Sequence, residues 1–320
     1  MGVQMVHRSR LALAMVIAAS AAAVVLSGCA TSRQGAQPAA ATSAARVGTV
    51  MTAVASIDAW GSILSQLGGT HVKTTSIISN PATDPHDYEP TPADGRMIAN
   101  ASLFVENGVG YDSWAAKAVA ANPSADRIVI TVGKLVGEPD DGNPHRWYSP
   151  ADVETVADAI TAGLKKADPG DASYFDSRRQ AFEDTDLAEY HQLISTIKSK
   201  YAGTPVGASE SIFAPLADAL GLDLVTPASF LRAISEGTDP SAADKATIDA
   251  QIATKKIKVY VFNSQNSTPD VSAQVTAAKR QSIPVASVTE TLSPKGATFQ
   301  DWQSAQLRAL EAALAVATGT

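Results

Sequence analysis

Between residues 174 and 201 the chain runs YFDSRRQAFEDTDLAEYHQLISTIKSKY, an amphipathic stretch with neither glycine nor proline. As one helix, at about 1.5 Å per residue, it would reach roughly 40 Å, the scale of a whole domain. A helix of that length either joins a bundle or connects two folded units. The flanking sequence favours a connector, because strand and helix patterns alternate on both sides of it. Before it, apolar strand-like runs at 47–56, 72–79, 102–108 and 127–133 are separated by helical patterns. After it, runs at 204–209, 222–227, 258–263 and 283–290 alternate with helical patterns in the same way. Strands separated by helices imply parallel sheets covered on both faces. The expected class is therefore α/β: two similar parallel-sheet lobes, 47–170 and 203–320, joined by one long linker helix at 171–202, with a cleft between them. Open α/β sheets bind ligands beyond the carboxyl ends of their strands.

The first 46 residues follow a different pattern. Arg8 and Arg10 precede the apolar run LALAMVIAASAAAVVL, which is shorter than the ~20 residues of a membrane span and has the form of a signal-peptide core. It ends in Leu26-Ser27-Gly28-Cys29, the pattern of a bacterial lipobox, in which the cysteine is lipidated and becomes the mature N-terminus. Residues 1–28 thus read as a lipoprotein signal peptide and 29–46 as a lipidated Cys29 with a small, polar, flexible tether. Cys29 is the only cysteine, which excludes an intramolecular disulfide and a thiolate metal site. The chain carries a net charge of −7, and residues 1–28 hold two arginines and no acid, so the remainder is near −9. An acidic body argues against nucleic-acid binding and is compatible with a cation.

Four residues fall at the ligand-binding ends of the predicted lobes. His86 lies in NPATDPHDYEPTPAD, stiffened by four prolines, after the second strand. His145 lies in GNPHRWYSP after the fourth. Glu210 closes VGASE after the first strand of the second lobe, and Glu290 closes IPVASVTE after its last. Two imidazoles and two carboxylates form a mixed nitrogen and oxygen set suited to Mn²⁺ or Zn²⁺. Each also has an ordinary explanation. The histidines could be surface-loop residues, Glu210 could cap the helix that starts at Ser211, and Glu290 could be an exposed turn acid.

The segments DPHDYEPTPAD, ASLFVENGVGYDSW, NPHRWYSP and VTETLSP resemble the signatures of the metal-binding receptors of ABC transporters, the zinc and manganese class with a rigid inter-lobe helix. The resemblance covers nearly all of 47–320. It implies one divalent metal ion, Mn²⁺ or Zn²⁺, carried as cargo and ligated by His86, His145, Glu210 and Glu290. It further implies a permease and an ATPase as partners, a monomer tethered by its lipid to the outer face of the membrane, and no catalytic activity. The chain departs from the family's usual pattern at Pro215 and at Asn263, where many members carry Glu; Asn263 and Gln265 are expected near the site but not as ligands. A second shell is expected to fix each imidazole tautomer; Asp84, Asp87 and Tyr88 are near in sequence, and the sequence does not show which of them reach a ring. The absence of a histidine-rich loop and the presence of Glu210 lean towards Mn²⁺, against the general tendency of Zn²⁺ to bind such sets more tightly. Three other readings stand beside this one. A metallohydrolase would need an open metal position and a general base, and no HExxH, G-x-S-x-G or P-loop occurs. A surface adhesin or scaffold lipoprotein would bind no metal, and an organic-solute receptor would line its cleft with aromatic platforms.

Overall fold

A computed structural model describes residues 50–83, 88–266 and 268–320. The first lobe runs β1 (Met51–Ile57), α1 (Asp58–Gly68), β2 (Val72–Ile78), α2 (Pro92–Ala99), β3 (Leu103–Glu106), α3 (Ser113–Ala121), β4 (Ile128–Thr131) and α4 (Val132–Val136), and α5 (Pro150–Ala167) packs back over it. Two helices, α6 (Ala172–Ala181) and α7 (Ala188–Tyr201), lead to the second lobe. That lobe runs β5 (Pro205–Ala208), α8 (Ala214–Leu220), β6 (Asp223–Leu224), α9 (Ala228–Ser235), α10 (Ala242–Ala253), β7 (Val259–Asn263), α11 (Pro269–Arg280), β8 (Val285–Val288) and α12 (Phe299–Thr318).

Each lobe holds a four-stranded parallel sheet, ordered β2-β1-β3-β4 and β6-β5-β7-β8. The order is the same in both, as expected of two similar α/β lobes. Helices cover both faces, so the central strands are buried: all four residues of β3 are, with Leu103, Phe104 and Val105 in the apolar core. In each sheet the strand order reverses between the two central strands, β1 and β3 in one lobe and β5 and β7 in the other, which stay parallel. Ligands bind at such switch points.

The run at 174–201 differs from a single α-helix. Residues Phe182–Asp186 form a π turn, and the Leu187 N–H donates to the Phe182 carbonyl at 2.8 Å. The reason is packing. A wider turn takes up one more residue, so Phe182 and Tyr190, eight positions apart, both turn inward and are fully buried. Without that turn the apolar stripe would drift off the core. Helix α12 packs on α7 and α1 and ties the lobes together. The Phe299 N–H donates to Ser62 Oγ at 2.9 Å, and Gln300 Nε2 donates to Gln66 Oε1 at 2.7 Å. One apolar core consequently runs through both lobes and the linker, with Trp60, Trp147, Phe175, Phe182 and Trp302 inside it.

Asp58, at the head of α1, forms another tie. Its Oδ2 accepts from the Leu292 N–H of the second lobe at 3.1 Å. Burial pushes its carboxyl up from 3.8 to about 6. The folded protein therefore holds this proton more tightly than the unfolded chain. The group favours folding most below about pH 4, and that contribution is lost as pH rises through about 6. The full swing is at most about 3 kcal/mol. Asp58→Asn keeps an acceptor for Leu292 and is expected to flatten urea-melt stability across this window. An unchanged slope in the variant would assign the pH dependence to other carboxylates.

Candidate metal centre

The motif ENGVGYD, after β3, builds the first-lobe wall. Asp112 accepts from the backbone N–H groups of Asn107 and Gly108, both at 2.7 Å, and so closes the loop on itself. Asn107 is held by Trp60 Nε1 at 2.9 Å and donates to the Pro144 carbonyl at 2.9 Å. The residue after Pro144 is His145. The motif thus buttresses the histidine loop from beneath.

His145 is buried, 1% exposed, and its ring packs edge-on against Tyr111 and Trp147. Its Nδ1 lies 2.9 Å from Asn143 Oδ1, and Asn143 Nδ2 donates across the cleft to the Ser211 carbonyl at 2.7 Å. One asparagine therefore fixes the imidazole and joins the two lobes. A histidine whose Nδ1 donates to an acceptor presents Nε2 as its ligating atom.

The second lobe supplies the acids. Glu210 follows β5 and is 1% exposed. Its carboxylate does not cap the short helical turn at Ser211–Phe213. Instead Oε1 accepts from Asn263 Nδ2 and Oε2 from Asn266 Nδ2, each at 2.7 Å. Glu290 follows β8 and is half-buried. Its Oε1 accepts from Asn263 Nδ2 at 2.7 Å, and its Oε2 from the Tyr111 hydroxyl at 2.8 Å. Asn263, at the end of β7 and fully buried, spends one amide hydrogen on each glutamate. Gln265 Oε1 accepts from the backbone N–H groups of Glu290 and Thr291 and holds that turn in place.

The outcome is a three-residue cluster. One ligand atom each from His145, Glu210 and Glu290 lies within 4.8 Å of the others. Two carboxylates meet in a buried place where Asn263, Asn266 and Tyr111 are neutral donors. Burial of Tyr111 and the charges of Glu290 and Glu210 push its hydroxyl well above the ordinary tyrosine range, so it stays protonated and donates. Neutral donors soften like-charge repulsion without cancelling it, and a divalent cation would cancel it. The donor set therefore fits a metal of charge two. Beside it, a pocket of about 370 Å³ opens between the lobes, lined by Val109, Asn143, Ser211, Leu231 and Arg232 among others.

Of the residues singled out from sequence, the structure brings together His145, Glu210 and Glu290. His86 and Cys29 lie outside the described residues, as do Asp84 and Asp87. Tyr88 serves elsewhere: its hydroxyl donates to Asp94 at 2.8 Å, beside the Thr91 cap of α2. Trp147 is fully buried against His145 and offers no exposed stacking face. Asn263 and Gln265 sit at the site, Asn263 donating to both glutamates and Gln265 accepting from the Glu290 backbone N–H. Sequence reasoning missed Tyr111, Asn143 and Asn266. The first two stand inside the motifs ENGVGYD and NPHRW, and that proximity was the available signal.

A family model described as zinc-uptake complex component A, periplasmic, matches residues 53–313. The chain is 27% identical over 178 residues to the manganese-binding lipoprotein MntA of Halalkalibacterium halodurans, covering 54% of this chain and 58% of that protein, less than two thirds of its length. It is 25% identical over 259 residues to the high-affinity zinc uptake system protein ZnuA of Bacillus subtilis, covering 73% of this chain and 79% of that one. Among solved structures, a cadmium-bound periplasmic metal-binding protein from Candidatus Liberibacter asiaticus superposes with a TM-score of 0.68 at 20% identity, over 82% of this chain and 99% of that one. A crystal structure of ZnuA superposes with a TM-score of 0.64 at 23% identity, over 84% and 99%. At these identities the structures speak for the fold.

Proposed function

This chain belongs to the family of periplasmic zinc-uptake component A proteins, and from that premise we propose that it captures one divalent transition-metal ion, Mn²⁺ or Zn²⁺, outside the cytoplasm and delivers it to an ABC importer. The observation that carries this reading is the cluster itself. Two lobes contribute His145, Glu210 and Glu290 to one spot, where Asn263, Asn266 and Tyr111 donate to the two acids. His145 supplies Nε2, the glutamates supply oxygen, and His86, set among prolines in the sequence, is the fourth ligand. A saturated four-residue set suits carriage, whereas catalysis by a metal needs an open position. The importer's permease and ATPase are the partners, and lipidated Cys29 holds the protein to the outer face of the membrane as a monomer. Among the described residues no helix is long and apolar enough to cross a membrane.

Capture follows from the geometry. The Asn143–Ser211 and Tyr111–Glu290 hydrogen bonds already span the cleft, so the ion meets a site whose lobes are in contact. It replaces repulsion between two carboxylates with attraction to both. The test is a titration of chelator-stripped protein with Mn²⁺ and Zn²⁺ separately, following bound metal and melting temperature. One tight equivalent with a rise in melting temperature is expected, since a ligand at 100 times its Kd adds about 2.7 kcal/mol. His86→Ala should remove most of the effect. If neither ion binds tightly or shifts the melt, the receptor reading is wrong and an adhesin role becomes the better account.

A further inference from the structure

The linker carries a second constellation that the cleft does not use. Glu154 projects from α5, Glu183 lies in the π turn, and His191 lies on α7. One ligand atom from each lies within 4.8 Å of the others. We propose that these three residues form a second divalent-cation site, for a borderline ion of the Zn²⁺ type, on the seam between α5 and the linker. This goes beyond the cleft reading and does not rest on it.

The arrangement is built and not incidental. Glu183 and His191 are eight residues apart, and the π turn between them brings both to the same face. Arg179 then sorts the oxygens. Its guanidinium donates to Glu154 Oε2 at 2.6 Å, to Glu183 Oε2 at 3.1 Å and to Asp158 Oδ1 at 2.8 Å. The other oxygen of each glutamate faces the imidazole: Glu154 Oε1 lies 3.2 Å from Nε2 of His191 and Glu183 Oε1 lies 3.6 Å from Nδ1. A tetrahedral ion about 2.0–2.1 Å from each ligand holds its ligand atoms roughly 3.4 Å apart, so one modest rotation of the imidazole completes the set.

Two further observations point to a ligand. Glu154 Oε1 is a buried oxygen that makes no well-formed hydrogen bond, although His191 Nε2 lies 3.2 Å away. The adjoining Tyr190 is fully buried, its hydroxyl has no hydrogen-bond partner, and the Glu154 charge acts on that hydroxyl. Charge gives the same answer. Three carboxyl groups, those of Glu154, Asp158 and Glu183, share the single Arg179 guanidinium. A cation at the cluster would add positive charge where the acids outnumber the guanidinium. The Glu154 and His191 side chains keep 28% and 36% exposure, so an ion reaches them from solvent, and the site should bind more weakly than the cleft.

The test uses the untagged full chain carrying His145→Ala and Glu290→Gln, which disable the cleft. Zn²⁺ is counted by equilibrium dialysis, and Co²⁺ absorption reports a tetrahedral site with one nitrogen and oxygen ligands. One equivalent is expected, and adding His191→Ala or Glu183→Gln should weaken it at least tenfold. No bound ion, or an ion indifferent to both substitutions, would reduce the cluster to an ion-pair network and overturn the proposal. Should the cleft-disabled protein not fold, His191→Ala in the otherwise unaltered chain decides. Two Zn²⁺ equivalents falling to one, with the tight equivalent intact, supports the site; an unchanged count overturns it.

Discussion

Glu210→Gln is expected to lower affinity for Mn²⁺ and Zn²⁺ by at least about 100-fold, close to 2.7 kcal/mol, while leaving the metal-free protein as stable as before. The substitution keeps size and removes one of two negative charges at the cluster. It also places an amide where Asn263 and Asn266 both donate, so one donor pair must face another. Metal binding loses an anionic ligand. The metal-free fold loses a carboxylate that its neighbour Glu290 repels. Weaker metal binding at unchanged metal-free stability separates a ligand from a structural acid. Isothermal titration paired with thermal melts reads both, and a variant that binds metal normally would remove Glu210 from the ligand set.

Asn263→Leu should do the reverse. Leucine matches the shape of the amide but cannot donate, so Glu210 and Glu290 each lose a hydrogen bond inside a buried site. Leaving buried charged acceptors short of a donor costs about 1–3 kcal/mol each. For a body of this size that corresponds to a fall of roughly 5–10 °C in the melting temperature of the metal-free protein. Saturating metal should restore most of it, because the ion takes over the neutralisation that Asn263 assists. Differential scanning calorimetry with and without metal is the measurement. A variant that melts like wild type without metal would mean that Asn263 does not hold the acid pair.

These expectations rest on residues of unequal legibility. Glu210 and Glu290 could be picked out because each follows a predicted strand, and a parallel α/β lobe gathers such positions at one end. Asn263 could be placed near the site through the family resemblance, since many members carry Glu there. Tyr111 stood inside the ENGVGYD motif, but its task was hidden, since its hydroxyl reaches Glu290 from a loop 179 residues away in sequence. Asn143 was hidden differently. It stands two residues from His145, yet its task depends on the Ser211 carbonyl of the other lobe. Tyr88, which stood next to the histidine motif, turned out to serve the Thr91 cap of α2.

The linker draws the same line. Its amphipathic run, free of glycine and proline, specified helix. It did not specify the π turn, because the extra residue is required only by where Phe182 and Tyr190 meet the core beneath them. By itself the sequence determined what is local: apolar runs long enough for buried parallel strands, helical periodicity between them, caps, and the order in which they repeat. Tertiary structure alone decided which side chains from distant loops share one buried volume. Local pattern is enforced by backbone hydrogen bonding and periodic burial within a few residues. A site is enforced by charges and donors that become neighbours only after the two sheets are docked.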